Sequence, residues 1–221
     1  QLTGDTLFYD RNTGVGEVFS RMVMTDTINR NMLTGEYGYY NEQTDYAFAT
    51  DSAVAIDYSQ GDSLFLHADT LLMETFHQNT DSMFREMRAF HKVRFYRTDV
   101  QGTADSLVFS TVDSCLTMYR DPIIWNKNQQ LLGEVIKVYM NDSTIDWSHI
   151  IGQALSVERV DSTIYNQVTG KEMKSYFTNG EMRKTEVIGS VRVVYYPMDS
   201  DSTLIGMNVS ETSKLEIYLQ D

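Results

Sequence analysis

The chain has 221 residues, 42% of them hydrophobic, with a formal net charge of −13 and an isoelectric point near 4.6. Such a length buries a sizeable core as one large β domain or two smaller units, without a metal or disulfide staple, and the single cysteine, Cys115, can form no intramolecular bridge. The acidic balance opposes a nucleic-acid role, which needs clustered Lys and Arg, and no run approaches the roughly 18 apolar residues of a membrane span.

In chain order, an acidic–hydroxyl–leucine tripeptide opens one strand-like segment after another: Asp5-Thr6-Leu7, Asp62-Ser63-Leu64, Asp69-Thr70-Leu71 and Asp105-Ser106-Leu107. Its spacing is irregular, so the repeat is no strict solenoid. Segments 7–9, 18–24, 46–48, 53–58, 107–109, 135–140 and 191–195 are rich in Val, Ile, Tyr and Phe, as half-buried strands are. Between them stand turn formers such as Asn12-Thr13-Gly14, Asn79-Thr80-Asp81 and Asn126-Lys127-Asn128. Many short strands at this spacing predict an all-β sandwich, barrel or jelly roll. The one helix signal is a turn or two over 146–153, capped by Asp146. The character of the chain changes there, and a soft boundary separates residues 1–145 from 146–221, the second part continuing the β pattern on the same sheet system. Strand-like segments close to both termini are expected of a piece of a longer or processed protein, compatible with a removed signal peptide.

Catalytic and metal signatures are missing from the sequence. No nucleophile elbow, phosphate loop or His-Glu-x-x-His motif occurs, and His67, His77, His91 and His149 show no ligand spacing. Asp199, Asp201 and Glu211 offer oxygen ligands but lack the Gly and terminal Glu of an EF-hand loop, and read as a hairpin turn. Cys115 reads as a small buried hydrophobe. No catalytic residue, metal or cofactor is assigned.

Residues 14–18 (Gly-Val-Gly-Glu-Val), 68–71 (Ala-Asp-Thr-Leu), 102–107 (Gly-Thr-Ala-Asp-Ser-Leu), 121–125 (Asp-Pro-Ile-Ile-Trp) and 133–136 (Gly-Glu-Val-Ile) resemble the repeated segments of OstA-like proteins, the lipopolysaccharide-transport proteins of the LptA type, particularly their Bacteroidetes forms. Residues 170–177, Ile188-Gly189-Ser190 leading to Tyr195-Tyr196, and 204–208 extend the similarity over nearly the whole chain, with Ser190 where relatives are expected to carry Asn.

The resemblance implies an open, twisted antiparallel β jelly roll in the periplasm, associated with an inner- or outer-membrane transport complex. An apolar trough in it would shelter lipopolysaccharide acyl chains on their way to the outer membrane. Strand alternation then sends Val18, Met22, Met24, Val54, Ile56, Leu64, Leu66, Ile136, Val138, Met140, Leu215, Ile217 and Leu219 inward. Lipopolysaccharide is itself anionic, so binding to this acidic chain would rest on acyl burial, at roughly 0.8 kcal/mol per methylene. Phosphate contact would be confined to a basic edge, Arg85, Arg88, Lys92 and Arg94, from the one cationic stretch, 84–97. The terminal segments 7–9 and 215–219 would pair head to tail with other OstA-like domains by strand addition. Two other readings stand beside this one: a structural or adhesive β-repeat module with a fully packed interior, and a carbohydrate-active enzyme with a carboxylate pair in a jelly-roll cleft.

Overall fold

In a computed structural model the chain is described except at residues 29, 60, 142, 143, 201, 202, 220 and 221. It divides into two compact units, Gln1–Leu116 and Thr117–Asp221. The first holds β1 (Leu2–Thr3), β2 (Thr6–Asp10), β3 (Val15–Asp26), β4 (Asn31–Asn41), β5 (Tyr46–Asp57), β6 (Leu64–Phe76), β7 (Phe84–Tyr96) and β8 (Val100–Ser110). β9 (Cys115–Tyr119) crosses the division. The second unit holds β10 (Ile123–Asn126), β11 (Gln129–Leu132), β12 (Val135–Asn141), β13 (Thr144–Arg159), β14 (Tyr165–Thr178), β15 (Glu181–Tyr195) and β16 (Asn208–Tyr218). Every pairing described within a unit is antiparallel between strands adjacent along the chain or separated by one broken strand.

The expected boundary at 145/146 falls inside β13, and the division lies at 116/117. The helix expected over 146–153 is also strand. Trp147, Ser148, His149 and Ile150 alternate between the faces of β13, and the Asp that would cap a helix stands at a bulge against β12. Sheet pairing on both sides of β13 satisfies its backbone and overrides a weak local signal.

One device recurs through both units. Two consecutive residues adopt the left-handed conformation in mid-strand at Ser20-Arg21, Asp51-Ser52, His91-Lys92, Gly152-Gln153 and Gly189-Ser190, and between β9 and β10 at Arg120-Asp121. At each of the five mid-strand pairs the register slips, two residues facing one on a neighbouring strand: β3 against β4, β5 against β6, β7 against β8, β13 against β14 and β15 against β16. These are bulges, which bend and twist a strand. Because they line up across the sheet, each unit turns one corner along its whole width, giving two arms.

Buried residues flank every corner at a spacing of four: Val18 and Met22, Ala49 and Ala53, Ala89 and Val93, Met118 and Pro122, Ile150 and Ala154, Val187 and Val191. The partner strands take the corner in three steps. They carry a small residue, then a polar one, then two residues on an apolar one: Ala68-Asp69-Thr70-Leu71, Ala104-Asp105-Ser106-Leu107, Gly133-Glu134-Val135-Ile136 and Gly170-Lys171-Glu172-Met173. The small residue is required by close approach of the arms. Met22 on one arm lies against Gly38 on the other, and a Cβ on Gly170 would stand 2.5 Å from the Val187 Cγ1.

On the outside of the bend the polar residue engages the left-handed pair. Asp5 binds Arg21, Asp69 lies 3.3 Å from Lys92, Asp105 3.3 Å from His91, and Glu134 accepts a 3.1 Å bond from Gln153. Three of the four acidic–hydroxyl–leucine tripeptides are therefore corner motifs. The fourth, at Asp62, lies in the turn before β6. Ser190 occupies the second left-handed position, with φ of 51°, a conformation that most residues with a Cβ avoid.

The Gly170→Ala variant tests the apex packing. Its new methyl must push Val187, which is fully buried, so the protein should lose about 1–3 kcal/mol in chemical denaturation.

Candidate functional site

The concave inner face between the two arms is the candidate site in each unit. In the first unit the apex is closed by two rows of cross-strand neighbours. One runs Val18, Gly38, Ala49, Leu71, Ala89 and Leu107, and the other contains Met22, Ala53, Ala68, Val93 and Ala104. The next row out on the first arm is Tyr9, Gly16, Tyr40, Ala47, Met73, Met87 and Phe109, and on the second arm Leu2, Met24, Leu33, Ala55, Leu66 and Phe95. Exposure rises from 2% at Val18 and 4% at Leu71 to 37% at Met73 and 38% at Met24. The inner face is thus sealed at the corner and becomes an apolar, methionine-bearing cleft away from it.

Polar groups appear at the outer end of the first arm. The Tyr9 hydroxyl donates to Glu42 at 2.9 Å, the Thr75 hydroxyl to Asp45 at 2.5 Å, and Arg85 reaches both Thr75 and Asp45, at 3.3 and 3.4 Å. Arg85 shares its face with Met87 and Ala89 by alternation, so it is an inward cation at the cleft mouth. The other expected phosphate contacts lie elsewhere. Arg88 is on the outer face, paired with Glu86 at 2.5 Å and set over the Phe76 ring. Lys92 is on the corner with Asp69, and Arg94 is on the outer face of the second arm between His67 and Thr103. The four cations do not form one basic edge, because alternation puts Arg85 and Arg88 on opposite faces of one arm and the corner at His91-Lys92 sets Arg94 on the other.

Of the thirteen residues expected to point inward, Val18, Met22, Leu66 and Ile136 are buried. Leu215 ends the apex row of the second unit on its edge strand, Met24, Leu64, Val138 and Ile217 lie further along the same inner faces, Met140 and Leu219 are exposed near strand ends, and Val54 and Ile56 are on the opposite face. The last two correct the expectation: β5 buries the small Ala49 and Ala53 and turns Ala55 to the same inner face, and the larger Val and Ile alternate outward. Leu33, Met73, Met87, Phe95 and Phe109 line the cleft and were missed. Strict alternation carried from Leu66 and Ala68 through β6 points to Thr70 and Leu72, whereas the three-residue step at Asp69 moves Leu71 and Met73 inward. The small–polar–x–apolar pattern is the signal that would have found them.

The second unit repeats the apex with Ile136, Ile150, Met173, Val187 and Leu215 in one row. Its next row is Val138, Ser148, Ser175, Thr185 and Ile217, so hydroxyls interrupt the apolar surface there. Its outer face carries Tyr139 stacked on Trp147 at 3.9 Å and a charge network in which Lys214, with the Tyr218 hydroxyl, holds the Glu216 carboxyl down to about 2. On the first unit's outer face Tyr37 donates to Glu17 at 2.6 Å, and this bond, with burial, pushes its phenol up to about 12.

Cys115 is buried. Among the described residues no group of three His, Cys, Asp or Glu side chains is placed to hold a metal, and Asp201, one of the three acidic residues weighed for calcium, lies outside them. His91 and His149 each face one carboxylate, Asp105 and Glu172. No protein-family model matches this chain, and no curated protein matches it.

A charge separates the two faces experimentally. Leu66→Asp places an unpaired carboxylate beside Ala55 and Phe95 and should cost about 2–4 kcal/mol or abolish folding, while Ile56→Asp on the outer face should cost under about 1 kcal/mol. Urea denaturation of the two variants reads the difference, and equal losses would refute the assignment of faces.

Proposed function

We propose that this protein is a non-catalytic periplasmic carrier of the OstA-like, LptA type that shelters acyl chains of lipopolysaccharide or a related lipid between the arms of its bent sheets during transport to the outer membrane. The observation that carries the reading is the inner face of the first unit, closed at the corner and lined outward by Met24, Leu33, Leu66, Met73, Met87, Phe95 and Phe109 with rising exposure. A carrier needs such a graded surface: the sealed apex supplies stability, and the exposed rows supply apolar area that a chain of methylenes can cover, each worth roughly 0.8 kcal/mol. The net charge of −13 leaves hydrophobic burial to provide the affinity, with Arg85 at the mouth as the cation nearest to a lipid phosphate.

A photo-reactive side chain at Met73 should cross-link lipid in cells that make the protein, and the same group at Phe48, on the outer face, should not. Mass spectrometry of the adduct identifies the lipid. Capture at neither position would favour a β-repeat module with a packed interior.

Assembly belongs to the same proposal. Among the described residues of its unit β2 pairs with β3 alone and β16 with β15 alone, and these strands contain no proline. Head-to-tail pairing with another OstA-like domain would cover such edges. The Leu219 amide donates to the Arg183 carbonyl at 3.0 Å, so by alternation the Ile217 amide also turns toward β15 and those of Glu216 and Tyr218 face outward. Tyr218→Pro should therefore block assembly and leave the fold intact. Light scattering against concentration is the measurement, and a chain that stays monomeric throughout, or oligomers indifferent to the proline, would remove the bridge.

A further inference from the structure

The two units have equivalent inner rows, one step out from the apex on the same arm, with different chemistry. In the first unit the row holds only aromatic, methionine, alanine and glycine side chains. In the second it runs Val138, Ser148, Ser175, Thr185 and Ile217, three hydroxyls on three successive strands between two aliphatic residues. Each of the three is only 7% exposed. Burying a hydroxyl in an apolar surface is costly unless it is hydrogen-bonded, so the stripe is an expense that apex packing does not require.

Ser175 and Thr185 satisfy each other across β14 and β15, with their oxygens 2.9 Å apart, and Thr185 also lies 3.2 Å from the Met182 sulfur. Ser148 differs. Among the described residues nothing hydrogen-bonds to its hydroxyl, although the residue is more than nine-tenths buried. Its oxygen is not sealed off either, because none of the fully enclosed side-chain nitrogens and oxygens lacks a partner. It therefore presents a narrowly exposed donor and acceptor on the inner face, beside Val138 and Ser175, about 7 Å along the strand from the buried Ile150.

Resting on the lipid-carrier reading above, we infer that the second unit selects an aliphatic chain that bears a hydroxyl group part-way along its length, with the Ser148 hydroxyl as the recognising group and the Ser175–Thr185 pair as the polar neighbour that keeps water-like company for it. The flanking Val138 and Ile217 and the apex row below take the methylenes on either side. A plain chain laid along the same face would strip the remaining water from Ser148 without replacing its hydrogen bond, whereas a hydroxylated chain replaces it. Discrimination comes from the penalty on the wrong chain as much as from the bond with the right one.

The test uses the full chain and displacement of a fluorescent polyene fatty acid by tetradecanoate and by 3-hydroxytetradecanoate. The native protein should prefer the hydroxylated acid by about threefold to tenfold, the worth of one hydrogen bond. Ser148→Ala should bring the ratio close to one while tetradecanoate affinity holds or rises, and Thr185→Val, which keeps the side-chain shape, should reduce the ratio in part. Retained affinity for the plain acid serves as the check that each variant is folded. Equal binding of the two acids by the native protein, or a preference that survives Ser148→Ala, overturns the inference and leaves the carrier reading standing. Binding of neither acid overturns both.

Discussion

Everything else in this protein depends on the aligned corner. Left-handed backbone is unfavourable for residues with a Cβ, at about 1–2 kcal/mol each, and only two of the twelve residues in the six left-handed pairs are glycine. Such strain persists when surrounding packing over-determines it. Here the packing is visible at every corner as a pair of buried residues four apart, together with small residues on the partner strands that let the arms meet. Outside the bend, carboxylates set against Arg21, Lys92 and His91 complete the device.

A sheet bent in this way behaves differently from a closed sandwich. Burial is concentrated at the corner and decays along both arms, so stability and an accessible apolar surface come from different rows of the same strands. Substitutions at Ala49, Ala68, Ala89 or Val187 act on the first, and substitutions at Leu33, Met73 or Phe109 act mainly on the second. That separation is what the proposed carrier role would use, since it leaves an apolar cleft that the fold does not need to collapse onto. It also lets an acidic surface and an apolar interior coexist in one chain, since charges lie on the outer bend, on the outer faces and at the cleft mouth, where Asp45 and Arg85 face each other, and not in the rows beside the corner.

The two units apply the same corner to different inner chemistry. Aromatic and methionine side chains dominate the first beyond the apex, and a hydroxyl stripe marks the second. Their outer faces also differ: an aromatic cluster of Phe19, Tyr37, Tyr39, Tyr46 and Phe48 in the first, and the Tyr139–Trp147 stack with the lysine–glutamate network of β15 and β16 in the second. Cross-strand pairs of this kind knit neighbouring strands and set register without contributing to the cleft.

What the sequence determined by itself was the all-β class, the short-range turns, the recurring Asp-Ser/Thr-Leu segments and the burial of Val18, Met22, Leu66 and Ile136, because each follows from local composition and a two-residue period. The inner-face set was only partly legible. A period of two survives the four-residue step of β5 but fails at the three-residue steps of β6 and β8, so Met73 and Phe109 were missed, whereas Val54 and Ile56 were turned the wrong way by their hydropathy. Hydropathy misled in the same place, since close approach of the arms demands Ala and Gly inside and leaves Val and Ile outside. The dispersal of Arg85, Arg88, Lys92 and Arg94, the strand at 146–153 and the division at 116/117 were decided by the tertiary structure, because the face on which each residue lies and the strand state of 146–153 follow from pairing with neighbouring strands, which outweighs local preference.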